Sequence, residues 1–289
     1  MAYNSMPAAF THALLPHQQD NNMPAGISPR ICPFQSPDWD DAGRGHAAGR
    51  LRSRKEIKTV ADCPAPDVYF VNDENNMLCF KVLLIGPENT PYEGGFFHFY
   101  VRLGPNYPVE PPRVCFMSGY RFGHLVRFSP NFYRNGHICI SILNTWPGEP
   151  WNPDMDLRSL FLGIRSRMTN EALCREPRFE VFEGRGTREV WLYDMYIRHE
   201  TLRVTVVHGL RTWQKYDIPA KLVRHMVANF FEHYVSYVSS CHTYKVFDGS
   251  AYQVPLVPEV FKPNFTNILK DIIKLHQELL PFKDRIFGS

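Results

Sequence analysis

Long apolar runs are missing from this sequence: the stretch VLLI at 82–85 falls far short of the ~20 residues that a bilayer span needs. The N-terminus lacks the apolar core of a secretory signal. The seven cysteines include no CxxC and no paired spacing, which argues against a disulfide framework or a zinc site and for reduced thiols. A soluble, non-secreted protein of the cytoplasm and nucleus is expected, with no membrane partner and no metal. An excess of one charge is missing too, since 32 Lys and Arg stand against 29 Asp and Glu and the two signs are mixed along the chain. A net charge of +3 gives no electrostatic case for nucleic acid, although a basic patch for a protein partner stays open. No internal repeat appears, and none of the 12 histidines stands in a recognisable protease motif.

What is present is a globular composition, 44% hydrophobic and 14% aromatic, in a chain of 289 residues that exceeds one ordinary domain. Residues 1–45 are rich in Pro, Asn, Gln, Gly and Asp without apolar periodicity and read as a disordered tail; the fragment ISPRICPFQSPDW (27–39) is either a docking peptide or stray aromatics within that tail. RLRSRKEIKTVAD (50–62) reads as a short basic helix that stops before Cys63-Pro64. Strand patterns follow at 68–72, 77–85, 96–103 and 113–117, joined by short Gly- and Pro-bearing turns, which predicts an antiparallel meander. Asp154 and Asp156 precede an apolar stripe of Leu157, Leu160, Phe161, Ile164 and Met168, the pattern of a core helix with acids at its positive end. Three more amphipathic helices are expected at 187–210, with Trp191, Met195, Leu202 and Val206 on one face, and at 219–238 and 264–280.

Chemistry concentrates in FSPNFYRNGHICISILNTWPGEPW (128–151). A thiol with an ordinary pKa of ~8.5 holds some thiolate near neutral pH, so a cysteine accepts an acyl group from another thioester and passes it to an amine without metal or cofactor. Cys139 is flanked by Ile138 and Ile140, follows the Asn135-Gly136 turn and lies eight positions after Asn131. The Asn131 amide either donates to the oxyanion formed during acyl transfer or ties down the loop through backbone hydrogen bonds. A cysteine hydrolase would need a histidine base, and His137, two residues before Cys139, is placed without assured contact. The other six cysteines read as structural.

PYEGG (91–95), NYPVEPPRVCF (106–116) and the Cys139 stretch, in this order, closely resemble the ubiquitin-conjugating enzymes. The resemblance implies an α+β fold, a four-stranded antiparallel sheet flanked by helices at about 46–186, here followed by a helical C-terminal extension at about 187–289. It implies transthiolation of ubiquitin or a ubiquitin-like modifier onto Cys139, then transfer to a substrate lysine or a ligase. No cofactor is implied, because ATP is spent by the upstream activating enzyme. Asn131 is carried over as the oxyanion stabiliser, with Ser129, Pro130, Ser141 and Trp151 in support. Arg50, Arg52, Arg54, Lys55 and Lys58 match in kind the basic helix that meets the activating enzyme, though a solvated helix face explains them equally. Pro108, Val109, Asn152 and Pro153 match positions of ligase contact. Two departures stand out: Ser129 replaces the family's histidine, and Ser141 replaces an aspartate that helps orient or deprotonate the lysine. Asp154 or Asp156 would substitute for that aspartate, or simply cap a helix. VRFSPNFYRNG, ICISIL with TWPGEPW, MTNEALCREP and IRHETLRV resemble the large Z-type branch, which shares both departures and is charged by the second, non-standard activating enzyme. Thr169–Ala172 departs from that branch. The rival reading is a non-catalytic relative that binds ubiquitin or a ligase as a scaffold. The helices beyond 187 are expected to select partners and not to build the site.

Overall fold

The computed structural model describes Pro33 and residues 47–63, 65–73 and 76–287, so the expected tail at 1–45, with its fragment 27–39, lies outside the described residues except for Pro33. Four strands, β1 (Val68–Asn72), β2 (Cys79–Ile85), β3 (Phe96–Arg102) and β4 (Arg113–Phe116), pair antiparallel in chain order. Alternation along each strand divides the sheet into two faces. Register sets Phe70, Val82, Phe99 and Phe116 in one row and Tyr69, Leu83 and His98 in the next, on the opposite face.

The first face is covered by α2 (Leu157–Arg165), whose Phe161 ring meets Phe70 at 5.3 Å and Phe99 at 5.4 Å. Asp156 caps this helix, accepting from the Ser159 backbone N–H while the Ser159 hydroxyl accepts from the Asp156 N–H. The helix begins where it does because that reciprocal pair satisfies two otherwise orphaned donors. A third, Leu157 N–H, donates to the buried Glu56 carboxylate at 3.0 Å from α1 (Ala47–Asp62).

The second face is covered by the extension. It consists of α3 (Arg188–Glu200), a π-helical run (Thr201–His208), the short α4 (Gly209–Thr212), α5 (Ala220–Tyr244), a small hairpin of β5 (Tyr252–Gln253) and β6 (Val260–Phe261), and α6 (Phe265–Phe287). Tyr69 stacks on His225 of α5 at 3.7 Å, and Lys81 pairs with Asp217 at 2.5 Å. With both faces covered, β2 is buried along its length except at half-buried Lys81, which accounts for the continuous apolar run at 82–85. The extension is therefore the second layer of a sandwich and no appendage; removal of 219–289 would bare the row containing Tyr69 and Leu83. The expected single helix at 187–210 widens into π turns at Thr201; Met195, Leu202 and Val206 of the expected stripe are buried, together with Val190, Leu192, Tyr193, Tyr196 and Ile197. Trp191, expected on that buried stripe, is 37% exposed and rests edge-on against Phe247.

The tightest junction between the layers is the PYEGG turn. Tyr237 of α5, fully buried, donates from its hydroxyl to the Gly94 carbonyl at 2.6 Å, and Phe96 N–H donates to Thr205 Oγ1 at 3.1 Å. A Cβ on Gly95 would lie 2.5 Å from Thr201 Cγ2 and 2.6 Å from Phe97, both packed in the core, so the extension requires glycine there. Overpacking of this kind costs ~1–3 kcal/mol. Gly95→Ala should accordingly lower the denaturant midpoint of the whole chain; an unchanged midpoint would show that the two layers are not packed against each other at this turn.

Candidate functional site

A narrow hairpin carries Asn131 and Cys139. The bridge between Phe132 and Ile138, both buried in the core, leaves their neighbours Asn131, Tyr133, His137 and Cys139 on the opposite side. Cys139 N–H donates to the Asn131 carbonyl at 2.9 Å, and the Asn131 side-chain amide donates to the Cys139 carbonyl at 2.8 Å. Tyr133 N–H donates to the His137 carbonyl at 2.9 Å. The amide of Asn131 is thus spent on the loop, the structural one of its two possible roles, and it does not point at an oxyanion in this state. Ser129 Oγ accepts from Asn131 N–H at 3.1 Å and the buried Arg127 guanidinium donates to the Pro130 carbonyl at 3.0 Å. These contacts hold the Ser-Pro-Asn triplet without a histidine. Above them, Tyr92 of the PYEGG turn donates to the Phe128 carbonyl at 2.8 Å.

The Cys139 thiol is enclosed, with the residue only 2% exposed, and Sγ donates to the Thr145 carbonyl at 3.1 Å. Burial first, and then the negative charge of Glu176, push this thiol up to about 11, while Arg127 and a hydrogen bond with Tyr133 oppose them. Arg127 lies 4.6 Å over the Tyr133 ring and 3.5 Å from the Glu176 carboxylate, whose own pKa burial raises and Arg127 lowers, with a net rise. Burial holds His137 down to about 4, so it is neutral at pH 7 and faces the Tyr133 ring at 5.6 Å. Tyr133, Arg127 and Glu176 were missed from the sequence. The signal for Tyr133 was its place two positions after Asn131, while nothing local marks Arg127 or Glu176.

Asp156 is engaged as the α2 cap and Asp154 is exposed, so neither shares the Cys139 environment as Glu176 does. Ser141, where the family's aspartate is missing, is half-buried under the following loop, and a Cβ on Gly148 would lie 3.0 Å from Ser141 Cβ. Trp151 N–H donates to Asn144 Oδ1 at 3.0 Å and its indole N–H donates to the Pro108 carbonyl at 2.7 Å. That bond sets the 108–109 turn beside 152–153; Val109, Asn152 and Pro153 are exposed and Pro108 is half-buried. On α1, Arg54, Lys55 and Lys58 are exposed, and the Arg50 side chain lies outside the described residues. Arg52 departs from this basic face: it pairs with Glu56 at 2.8 Å and donates to the Met155 carbonyl at 3.1 Å, tying α1 to the approach of α2. Among the described residues no group of three His, Cys, Asp or Glu is placed to hold a metal, and no helix is long and apolar enough to cross a membrane.

Comparison with known proteins agrees with this geometry. The family model described as ubiquitin-conjugating enzyme matches residues 52–178. The chain is 36% identical over 277 residues to ubiquitin-conjugating enzyme E2 Z of Xenopus tropicalis, covering 94% of this chain and 86% of the relative. It is 38% identical over 224 residues to the protein of that name from Danio rerio, covering 77% and 66%, and 36% identical over 248 residues to that of Homo sapiens, covering 86% and 68%.

The enclosed thiol has a measurable signature. A raised thiol pKa means that Cys139 is protonated at pH 7 and ionises only as the pH climbs toward about 11. Alkylation of Cys139 in the free enzyme, followed by peptide mass spectrometry, should rise across pH 8–11 with a midpoint above that of an ordinary thiol near ~8.5. Glu176→Gln removes a negative charge and should move the midpoint down; a wild-type midpoint at or below the ordinary value would contradict the enclosed geometry.

Proposed function

The chain belongs to the ubiquitin-conjugating enzyme family, and we propose that Cys139 is the residue on which it carries ubiquitin or a ubiquitin-like modifier as a thioester. The enzyme is a ubiquitin transferase whose family implies ubiquitin, an activating enzyme and ligases as partners. The observation that carries the assignment is the paired hydrogen bonding between Asn131 and Cys139, on a hairpin whose other face is locked into the core. Cys79, Cys115, Cys174 and Cys241 are also buried, but they lie within strands, a 3₁₀ turn or a helix.

In charging, the Cys139 sulfur attacks the carbonyl carbon of the incoming thioester. The new S–C bond forms as the bond to the activating enzyme's sulfur breaks, and the proton of Cys139 leaves with the departing thiolate or to solvent. In discharge a lysine nitrogen attacks the same carbon and expels Cys139. Neither step uses a cofactor. A lysine with a pKa near ~10.4 is protonated at pH 7 and needs a carboxylate to orient it or take its proton. We assign that role to Glu176, because its charge is felt at Cys139, its partner Arg127 fixes its direction, and its raised pKa suits proton acceptance. Asn131 holds the loop in the uncharged state, and its oxyanion role requires the amide to leave the Cys139 carbonyl. The second activating enzyme as preferred charger, the exposed Arg54, Lys55 and Lys58 as its contact, and Pro108, Val109, Asn152 and Pro153 as a ligase contact complete the proposal. The free cysteines fit a reducing compartment, the cytoplasm and nucleus.

Incubation with ubiquitin, ATP and each activating enzyme in turn, read on non-reducing gels, tests the assignment. The wild type should give an adduct that reductant cleaves, Cys139→Ser a reductant-stable one or none, and Cys139→Ala none. A thioester on Cys139→Ala sinks the proposal. In single-turnover discharge to free lysine, Glu176→Gln should be slower at neutral pH and recover as the pH rises. Asn131→Ala should slow discharge by ~10²–10³ if its amide reaches the oxyanion; a lowered thermal midpoint with unchanged discharge assigns it to the loop alone.

A further inference from the structure

We propose that residues 144–151 form a lid, latched by Thr145, that closes over Cys139 in the uncharged enzyme and is opened by acylation of the thiol. The inference rests on Cys139 as the reactive thiol. Cys139 is 2% exposed and Sγ donates to the Thr145 carbonyl at 3.1 Å, so a thioester carbon approaching Sγ meets an enclosed thiol already engaged by the loop. Acylation removes the S–H donor and puts a carbonyl carbon on Sγ, so the Thr145 contact and the thioester cannot coexist. One wall of the enclosure must move.

Only one wall is built to do so. Asn131, Tyr133 and Arg127 are buried and anchored to the core hairpin through Phe132 and Ile138. The loop opposite them has an exposed tip, Pro147–Pro150, and few fastenings. At its root Asn144 takes a left-handed φ of 57° and Trp151 is pinned to Pro108, which gives the loop two fixed ends. Between them the hold on the site is Thr145, whose Oγ1 accepts from Ile140 N–H at 2.9 Å and donates to the Ile138 carbonyl at 2.8 Å. The tip itself only touches, with Gly148 lying against Ser141. The Thr145 hydroxyl, joined by the Thr145 N–H donating to the Ile140 carbonyl at 3.3 Å, thus connects the segment that can move to the two residues flanking Cys139. Thr145 is a positioning residue: its hydroxyl acts through the loop and not on the reacting carbon.

The test uses iodoacetamide, whose carbon is attacked by Sγ as iodide departs and the thiol proton passes to solvent, with the modified cysteines quantified by peptide mass spectrometry. Thr145→Val keeps the shape and loses the hydroxyl. It should be alkylated at Cys139 ~tenfold faster than wild type, while buried Cys174 and Cys241 stay slow. Thr145→Ser restores the hydroxyl and should return to the wild-type rate. Equal rates in Thr145→Val and wild type, or an acceleration shared with Cys174 and Cys241, overturns the lid. A second measurement needs no substitution at the latch: wild-type enzyme fully alkylated at Cys139 should show faster hydrogen exchange across 144–151 than unmodified enzyme, with α5 unchanged. Unaltered exchange there also overturns it. Both readouts are independent of ubiquitin, so a failure of thioester formation counts against Cys139 as the acyl carrier and not against the lid.

Discussion

Two hydrogen bonds, 2.9 and 2.8 Å long, between Asn131 and Cys139 set the position of the Cys139 thiol, and much of the rest of the fold keeps them dry. Bonds of this kind are strong only where water cannot compete, and a buried group left without its partner costs ~1–3 kcal/mol. The dry surround comes from Phe132 and Ile138 on the far side of the hairpin, backed by Phe116 and Phe99 of the sheet. From there the dependence runs outward. Phe128, at the entry to the hairpin, is held by Tyr92, and the turn that carries Tyr92 is held by Tyr237 of α5. A helix more than ninety positions downstream therefore buttresses the reactive loop through two tyrosine hydroxyls and one glycine turn.

That buttress explains why the chain is long. A sheet backed by α2 alone would leave Tyr69, Leu83, Ile85, Phe96 and His98 facing water, and each large apolar side chain in that row contributes ~1.5–3 kcal/mol when buried. The extension covers this row and thereby becomes inseparable from the fold. The cost of such a layer is polar groups out of water. It is met locally: Thr205 receives the Phe96 N–H that has no strand partner, and the β5–β6 hairpin returns to the reactive loop through the paired charges of Glu259 and Arg134.

Strands were legible because strict alternation and short turns are local signals; the four strand spans differ from the sequence reading by at most two residues at an end. The α2 cap was legible for the same reason, and the capping alternative for Asp156 is the one the geometry favours. The layer assignment was not legible, because periodicity shows that a helix has a buried side without showing what buries it. The π turns at 201–208 break the 3.6-residue count, and within Arg188–Glu200 burial reaches most of the way round the helix, so spacing alone did not mark Trp191 as the side chain left exposed beside Phe247. In the site, Cys139 and Asn131 lie eight positions apart in one hairpin and could be read together. Glu176 and Arg127 reach the thiol across 37 and 12 positions with no motif of their own, and only the folded chain brings them there.

Ser141 stands where the family carries an aspartate, and the loop that follows brings Gly148 close to the Ser141 side chain. Glu176, paired with Arg127, is the carboxylate whose charge reaches Cys139. The combination has an electrostatic consequence. Enclosure, and then the negative charge of Glu176, keep the resting thiol protonated and poorly nucleophilic, which suits a cysteine that should react with one incoming thioester and not with every electrophile. The free energy needed to open the enclosure must then come from contacts that a charging partner makes with the open form, because a ligand shifts such an equilibrium only by its differential affinity for the two states.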